Sequence, residues 1–237
     1  MLTLLNLHQP VAFGTLTRRY KRFLADVVLE SGEQVTAYCP NPGRMLTCSE
    51  PGSQVRLSYF ETSSRKYPYQ LDLVKSGDVW VGVNPNLANE IVDLAIHQGH
   101  IFEDLDSEQW KREVPYGNAS RIDFLNYGTP NIYVEVKSVS YALSGIGYFP
   151  DAVSVRATKH LDELSNVVSA GHRGIVIFCI QRDDILGEVK PATHIDPSYA
   201  KAFDRAKANG VEFMTLPIQF DSAGSRVYLN LNKVSLL

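Results

Sequence analysis

Asp123, Glu135 and Lys137 are the residues of this chain whose types and spacing best suit chemistry. Asp123 lies in the run Ser120-Arg121-Ile122-Asp123-Phe124-Leu125, and the other two in Asn131-Ile132-Tyr133-Val134-Glu135-Val136-Lys137-Ser138. Both runs read as strands, joined by the turn Tyr127-Gly128-Thr129-Pro130. Side chains alternate along a strand. Arg121, Asp123 and Leu125 are therefore expected on one face, with Ile122 and Phe124 on the other. By the same rule Glu135 and Lys137 oppose Val134 and Val136. The three polar residues then stand together across the pair. Two neighbouring carboxylates repel unless a cation separates them, and a hard divalent ion, Mg2+ or Mn2+, suits an all-oxygen set completed by water and phosphate. Such an ion polarises a phosphate and acidifies a bound water, while a nearby lysine orients that water or offsets developing charge. Asp123 and Glu135 are the expected metal ligands, and all three residues the expected catalytic set. The competing reading is a solvated sheet face carrying an ordinary Glu-x-Lys.

The elements that must position these residues are legible in outline. The first third has short β signals at roughly ten-residue spacing, at 27–29, 35–38, 55–59, 69–74 and 79–83, which fits a small OB-like barrel. Asn84-Pro85-Asn86 breaks the pattern. Leu87, Ile91, Leu94 and Ala95 follow at helical spacing up to Gly99. A strand near 112–116 precedes the acidic pair. A helix is expected over 154–170, with Val155, Leu161, Leu164 and Val168 inward. The apolar run 174–180 reads as a strand covered on both faces. A helix from Asp196-Pro197 to Ala208 and a strand over 211–215 close the order α–β–β–β–α–β–α–β. The fold class is thus mixed α/β, with domains expected at 1–83 and 84–237. A helix-turn-helix within 201–220 is disfavoured, because Pro217 would interrupt its second helix.

Several further residues are candidates. The run Arg18-Arg19-Tyr20-Lys21-Arg22-Phe23 interleaves four bases with two aromatics, which suits phosphates and stacked bases. It equally suits an edge strand that resists aggregation. Arg44, Arg65 and Lys66 extend this patch, and Arg156 and Lys159 share a helix face that meets phosphate or solvent. Asp151 is read as a supporting acid or a plain helix-start residue. Gln181 supports the site from the end of the buried strand. Glu90 and Glu113 are read as structural acids, and His160 and His172 as ordinary histidines without metal-ligand spacing.

The 237 residues carry a net charge of −3, 44% hydrophobic and 21% charged residues, so DNA binding would rest on a local basic patch. Three cysteines without a C-x-x-C pair argue against a disulfide framework and for a reducing cytoplasm. The apolar start, Leu2 to Leu7, lacks a signal-peptide pattern, and no run is long enough to span a bilayer.

An Asp followed by Glu-x-Lys on the next strand, inside α–β–β–β–α–β, resembles the PD-(D/E)XK nuclease-like fold. More specifically, the chain resembles the sugar fermentation stimulation protein A family. The resemblance is carried by Arg19 to Val27, Cys39-Pro40-Asn41-Pro42-Gly43-Arg44-Met45, Val81 to Asn84, Ser120 to Phe124, Tyr133 to Lys137, Phe149 to Val153, Lys159-His160-Leu161 and Ile195-Asp196-Pro197. It implies an N-terminal OB-like barrel, a C-terminal nuclease-like α/β domain, DNA binding without strong sequence preference, and a regulatory link to maltose metabolism. A homodimer is compatible with it. Two departures stand out: Pro42, where the family usually has Thr, and Ser138-Val139-Ser140, where it often has Asn-Val-Thr. Neither touches the three site residues, and nuclease turnover does not follow from the motif alone.

Overall fold

The computed structural model describes residues 2–7, 10–61 and 65–237. Strand β1 (Leu2–Asn6) opens the chain. Then come β2 (Val11–Tyr20), β3 (Leu24–Leu29), β4 (Gln34–Tyr38), β5 (Gln54–Tyr59), β6 (Tyr69–Ser76) and β7 (Val79–Gly82). Strands β2 to β6 run in the order β4-β3-β2-β5-β6, and a β4–β6 pairing closes them into a five-stranded OB barrel. The interior is filled by side chains such as Leu16, Val27, Ala37, Leu57 and Leu71, all at most 1% exposed.

The remaining elements build a mixed α/β domain. They are α1 (Pro85–His97), β8 (Trp110–Tyr116), β9 (Ser120–Asn126), β10 (Ile132–Val139), the hairpin β11 (Tyr141–Leu143) and β12 (Ile146–Phe149), α2 (Val155–Ser169), β13 (Arg173–Ile180), β14 (Val189–Pro191), α3 (Pro197–Ala208), β15 (Glu212–Phe220), β16 (Arg226–Leu229) and β17 (Ser235–Leu236). The large sheet has the order β1-β16-β15-β13-β10-β9-β8, with β10, β13 and β15 parallel. Each helix begins where the sequence supplies a cap. Asn84, Ser154 and Asp196 accept from backbone N–H groups of the first turns of α1, α2 and α3, and proline follows two of the three caps.

The sheet is covered on both faces. Ile175, Ile177 and Cys179 of β13 pack with α1, while Val176, Phe178 and Ile180 pack with α2 and α3. That explains the unbroken apolar run of this strand. Among the described residues no helix is long and apolar enough to cross a membrane.

Two expectations need correction here. The first strand does not belong to the barrel: β1 pairs antiparallel with β16 at the edge of the large sheet, so the N-terminus crosses back to the second domain. Val155 does not face inward but is 80% exposed as the first residue of α2, while Ala157 in the same turn is buried. The 201–220 segment is helix then strand, α3 and β15, as Pro217 required.

Candidate metal centre and nucleic-acid cleft

The site forms where β9 parts from β10. Their pairing runs from Ile132↔Asn126 to Val134↔Phe124 and then stops. Asp123, the next residue on β9, fills the gap with its side chain: Oδ2 accepts from the Val136 N–H at 2.7 Å, and Oδ1 from Asn89 Nδ2 of α1 at 3.1 Å. The carboxylate thus replaces a missing ladder bond and is aimed along β10.

On the other side of β9, the pairing with β8 skips Glu113, whose φ is 53°. A left-handed non-glycine residue costs roughly 1–2 kcal/mol. Beside it, the alternation expected of β9 does not hold. Ile122 packs with Leu125 behind the sheet, while Phe124 packs with Val134 and Val136 in front of it. Glu113 itself lines the cleft described below.

Glu135 is 3% exposed. Its Oε1 accepts from Lys137 Nζ at 2.5 Å and from Nδ1 of His160 on α2. Its Oε2 is buried and has no hydrogen-bond partner among the described residues. Leaving such an oxygen bare costs about 1–3 kcal/mol or more, since the group is charged. Burial alone would raise the Glu135 carboxyl, but Lys137 and His160 outweigh it and hold it below the ordinary carboxylate range. Asp123 behaves oppositely. Burial first, then the charge of Glu135, push its carboxyl up to about 6, against weaker help from the Val136 N–H and Lys137. The pair therefore carries more negative charge than its surroundings neutralise.

His160 is the functional residue that spacing missed. Read as an ordinary histidine, it is 2% exposed and bonded to Glu135. Its Nε2 accepts from Arg156 Nε at 3.3 Å, so the imidazole proton sits on Nδ1, towards Glu135. Its sequence signals were its place in the Lys159-His160-Leu161 run that carries the family resemblance and its position on the inner face of α2, one residue before buried Leu161.

Asp123, Glu135 and Lys137 open into a cleft of about 510 Å³ between the two domains. Arg22, Asn41, Pro42 and Gly43 line it from the barrel, and Asn89, Ser138, Asp151 and Arg156 from the α/β domain. Of the expected bases, Arg22 and Arg156 lie in the cleft, Lys21 and Arg44 are exposed beside its barrel wall, and Arg18 is paired with Asp26 at 2.8 Å. Arg65 stacks over Phe60 at 3.8 Å, and Lys66 lies by Tyr67.

Two bases differ from expectation. Arg19 Nη2 donates to the carbonyls of Arg22, Asn41 and Gly43 at 2.6, 2.7 and 2.8 Å, so its guanidinium braces two loops instead of reaching out. Lys159 Nζ points away from the cleft, to the Asn118 carbonyl and, at 3.5 Å, to Glu163.

Asp151 lines the cleft and also joins the domains, its Oδ2 accepting from the Met45 N–H at 2.8 Å. Gln181, fully buried, stands behind the cleft and donates to Ser138 Oγ at 2.7 Å and to the Asn84 carbonyl. Glu90 lies in a separate, smaller cleft with Arg56 and Asp72. Among the described residues no group of three or more His, Cys, Asp or Glu side chains is arranged to hold a metal alone.

Two family models match the chain. The SfsA N-terminal OB domain covers residues 17–83, and the sugar fermentation stimulation protein RE domain covers residues 86–224. A sugar fermentation stimulation protein homolog of Geobacter sp. (strain M21) is 46% identical over 211 residues, 89% of this chain and 91% of the relative. A homolog of Brucella abortus (strain S19) is 48% identical over 207 residues, 86% of each. The structure of Pyrococcus furiosus SfsA in complex with Ca2+ superposes with a TM-score of 0.85 over 97% of both chains, at 23% identity, a likeness that speaks to fold.

Proposed function

The chain belongs to the sugar fermentation stimulation protein family, and from that premise we propose that it binds DNA in the cleft between its two domains and holds a divalent cation there at Asp123 and Glu135. One observation carries the metal: Glu135 Oε2, buried and unpartnered among the described residues, beside a second carboxyl whose titration is raised by burial and then by the Glu135 charge. The donor set fits a hard ion, since Asp123 and Glu135 offer only oxygen. With no third acidic or imidazole ligand grouped there among the described residues, the remaining positions fall to backbone oxygen, water or substrate phosphate, which is how Mg2+ is commonly held. The Ca2+ of the Pyrococcus furiosus protein supports the divalent class, and Mg2+ and Mn2+ are the ions we expect. When bound, such an ion polarises a phosphate and acidifies a water.

The chain's own residues supply the rest. Asn89 and Val136 orient Asp123, and Lys137 and His160 orient Glu135. Arg22 and Arg156 offer guanidinium groups to phosphate oxygens. Binding through phosphates is blind to sequence. A regulatory role in sugar metabolism, to which the family name points, would act through this binding. The three cysteines are free and buried, which suits a reducing cytoplasm.

Phosphodiester cleavage is a second reading, favoured by Lys137. Its side chain is 11% exposed yet lines the cleft beside the carboxylates, where a nuclease needs its lysine.

Calorimetric titration with Mg2+, Mn2+ and Ca2+ tests the metal. The wild type should bind and Asp123→Ala should not; equal binding by both would sink the site. Incubation with single-stranded, duplex and branched DNA tests cleavage. DNA retained by Lys137→Ala without cleavage would assign the lysine to chemistry, and intact DNA under every metal would leave a binding protein only. Titration with maltose tests whether a sugar is instead the ligand.

A further inference from the structure

We propose that Phe23 and Tyr38 form a stacking platform for the bases of single-stranded DNA at the mouth of the cleft. The inference rests on the DNA-binding reading above and names its substrate class.

Phe23 and Tyr38 are 42% and 38% exposed, at the end of a barrel whose interior is already filled. Their ring planes lie within 15° of each other, with centroids 6.5 Å apart. The two rings therefore form one aromatic surface instead of two isolated side chains.

Charge sits beside them. Lys21 and Arg22 precede Phe23 in the turn between β2 and β3, both with positive φ, at 49° and 63°. That backbone is rare for long side chains and holds two cations at the hairpin tip. Rings with adjacent cations suit a nucleic-acid strand: rings for bases, charges for phosphates.

The platform also connects to the cleft. Arg22, one residue before Phe23, and Asn41, three residues after Tyr38, both line it. Three residues of chain reach at most about 10 Å. The link is braced, since the guanidinium of Arg19 binds the carbonyls of Arg22, Asn41 and Gly43 together. A strand whose bases rest on the rings would thus run its backbone past Arg22 towards Asp123 and Glu135.

The occupant must have unpaired bases. In a duplex the base faces are already stacked and offer nothing to an exposed ring, whereas every unpaired base has a free face.

The test measures fluorescence anisotropy of labelled oligothymidine and of a duplex of equal length, with the full chain and no divalent ion. The double variant Phe23→Ala/Tyr38→Ala should weaken single-strand binding by about tenfold or more, with duplex binding little changed. Phe23→Trp/Tyr38→Trp should restore it. A folded double-alanine variant that binds the single strand like wild type, or loses both substrates equally, overturns the platform. A wild type that binds neither DNA overturns the function proposed above as well, a distinct result. A wild-type dimer that sedimentation shows falling to monomer in the variant would assign the rings to a second copy of the chain and overturn it too.

Discussion

His160 Nδ1 donates a hydrogen bond to Glu135 Oε1, and both partners are buried. Arg156, donating to Nε2, fixes which nitrogen carries the proton. Lys137 occupies the same Oε1, so the second carboxylate oxygen is left buried and without a hydrogen-bond partner among the described residues. A rotation about the last bond of Glu135 would exchange the two oxygens. Two donors on one oxygen oppose that rotation, which makes His160 a positioning residue for the cation site.

Removing that donor should loosen the site without dismantling the cleft. Outer partners of metal ligands are typically worth about 10- to 100-fold in metal affinity. His160→Leu is expected to weaken divalent binding by that order. His160→Asn, whose amide can donate from nearly the place of Nδ1, should recover most of it. Calorimetry well below each variant's Tm separates this from a general loss of stability. Equal affinities in the three proteins would sink the positioning role.

The raised Asp123 carboxyl makes a signed pH prediction. Folding raises this pKa from 3.8 to about 6, so the folded state holds the proton more tightly than the unfolded chain. Stability from this group is present below pH 4 and lost as pH rises towards 6. The upper bound is about 3 kcal/mol. Without divalent ion, Asp123→Asn should therefore raise Tm at pH 7.5 and change it little at pH 4. Metal affinity of the wild type should climb between pH 5 and 7, because the ion competes with that proton. A Tm at pH 7.5 unchanged or lowered by the substitution would contradict the like-charge pair.

Glu135 and Lys137 were legible as a pair because strand alternation acts over two residues and needs no tertiary information, whereas Asp123 joins them through the Val136 N–H and not through the alternation of β9. The helix α1, the strand triplet β8–β10 and the buried strand β13 followed from period and turn residues in the same way. His160 was not legible: it is 25 positions from Glu135, and only the packing of α2 on β10 brings them together. Arg19 misled because a basic run does not reveal that nearby carbonyls will claim one of its members. The sides taken by Ile122 and Phe124 depart from simple alternation opposite the left-handed Glu113 of the neighbouring strand, where no glycine announces an irregularity. Strand β1 escaped for want of any local sign that its partner lies at the far end of the chain.

If the cleft takes the phosphate backbone, its cations set a salt dependence. The logarithm of DNA affinity should fall linearly with the logarithm of salt. Arg22→Ala and Arg156→Ala should each flatten that slope by about one. Arg18→Ala, whose guanidinium is already paired with Asp26, should change it less. Slopes independent of Arg22 and Arg156 would move the DNA off this cleft.

One carboxylate and one glycine meet at the joint between the domains, beside other bonds such as Arg182 to Thr47 and the Gly82 N–H to the Gln181 carbonyl. Asp151 accepts from the Met45 N–H, and a Cβ on Gly43 would come within 2.2 Å of the same carboxylate. The close approach admits no side chain on the loop, which is why glycine stands there although its φ is not positive. Asp151→Ala would strip the Met45 N–H of its acceptor, at a cost of about 1–3 kcal/mol. Gly43→Ala would push the carboxylate aside and displace the loop that forms the barrel wall of the cleft. Both should lower the denaturation midpoint. Gly43→Ala should in addition weaken DNA binding at temperatures where the protein is fully folded, because Asn41 and Gly43 line the cleft. The double variant Gly43→Ala/Asp151→Ala relieves the clash and should lose less than the sum of its parts. Strict additivity in chemical denaturation would show that the two residues do not act on one joint.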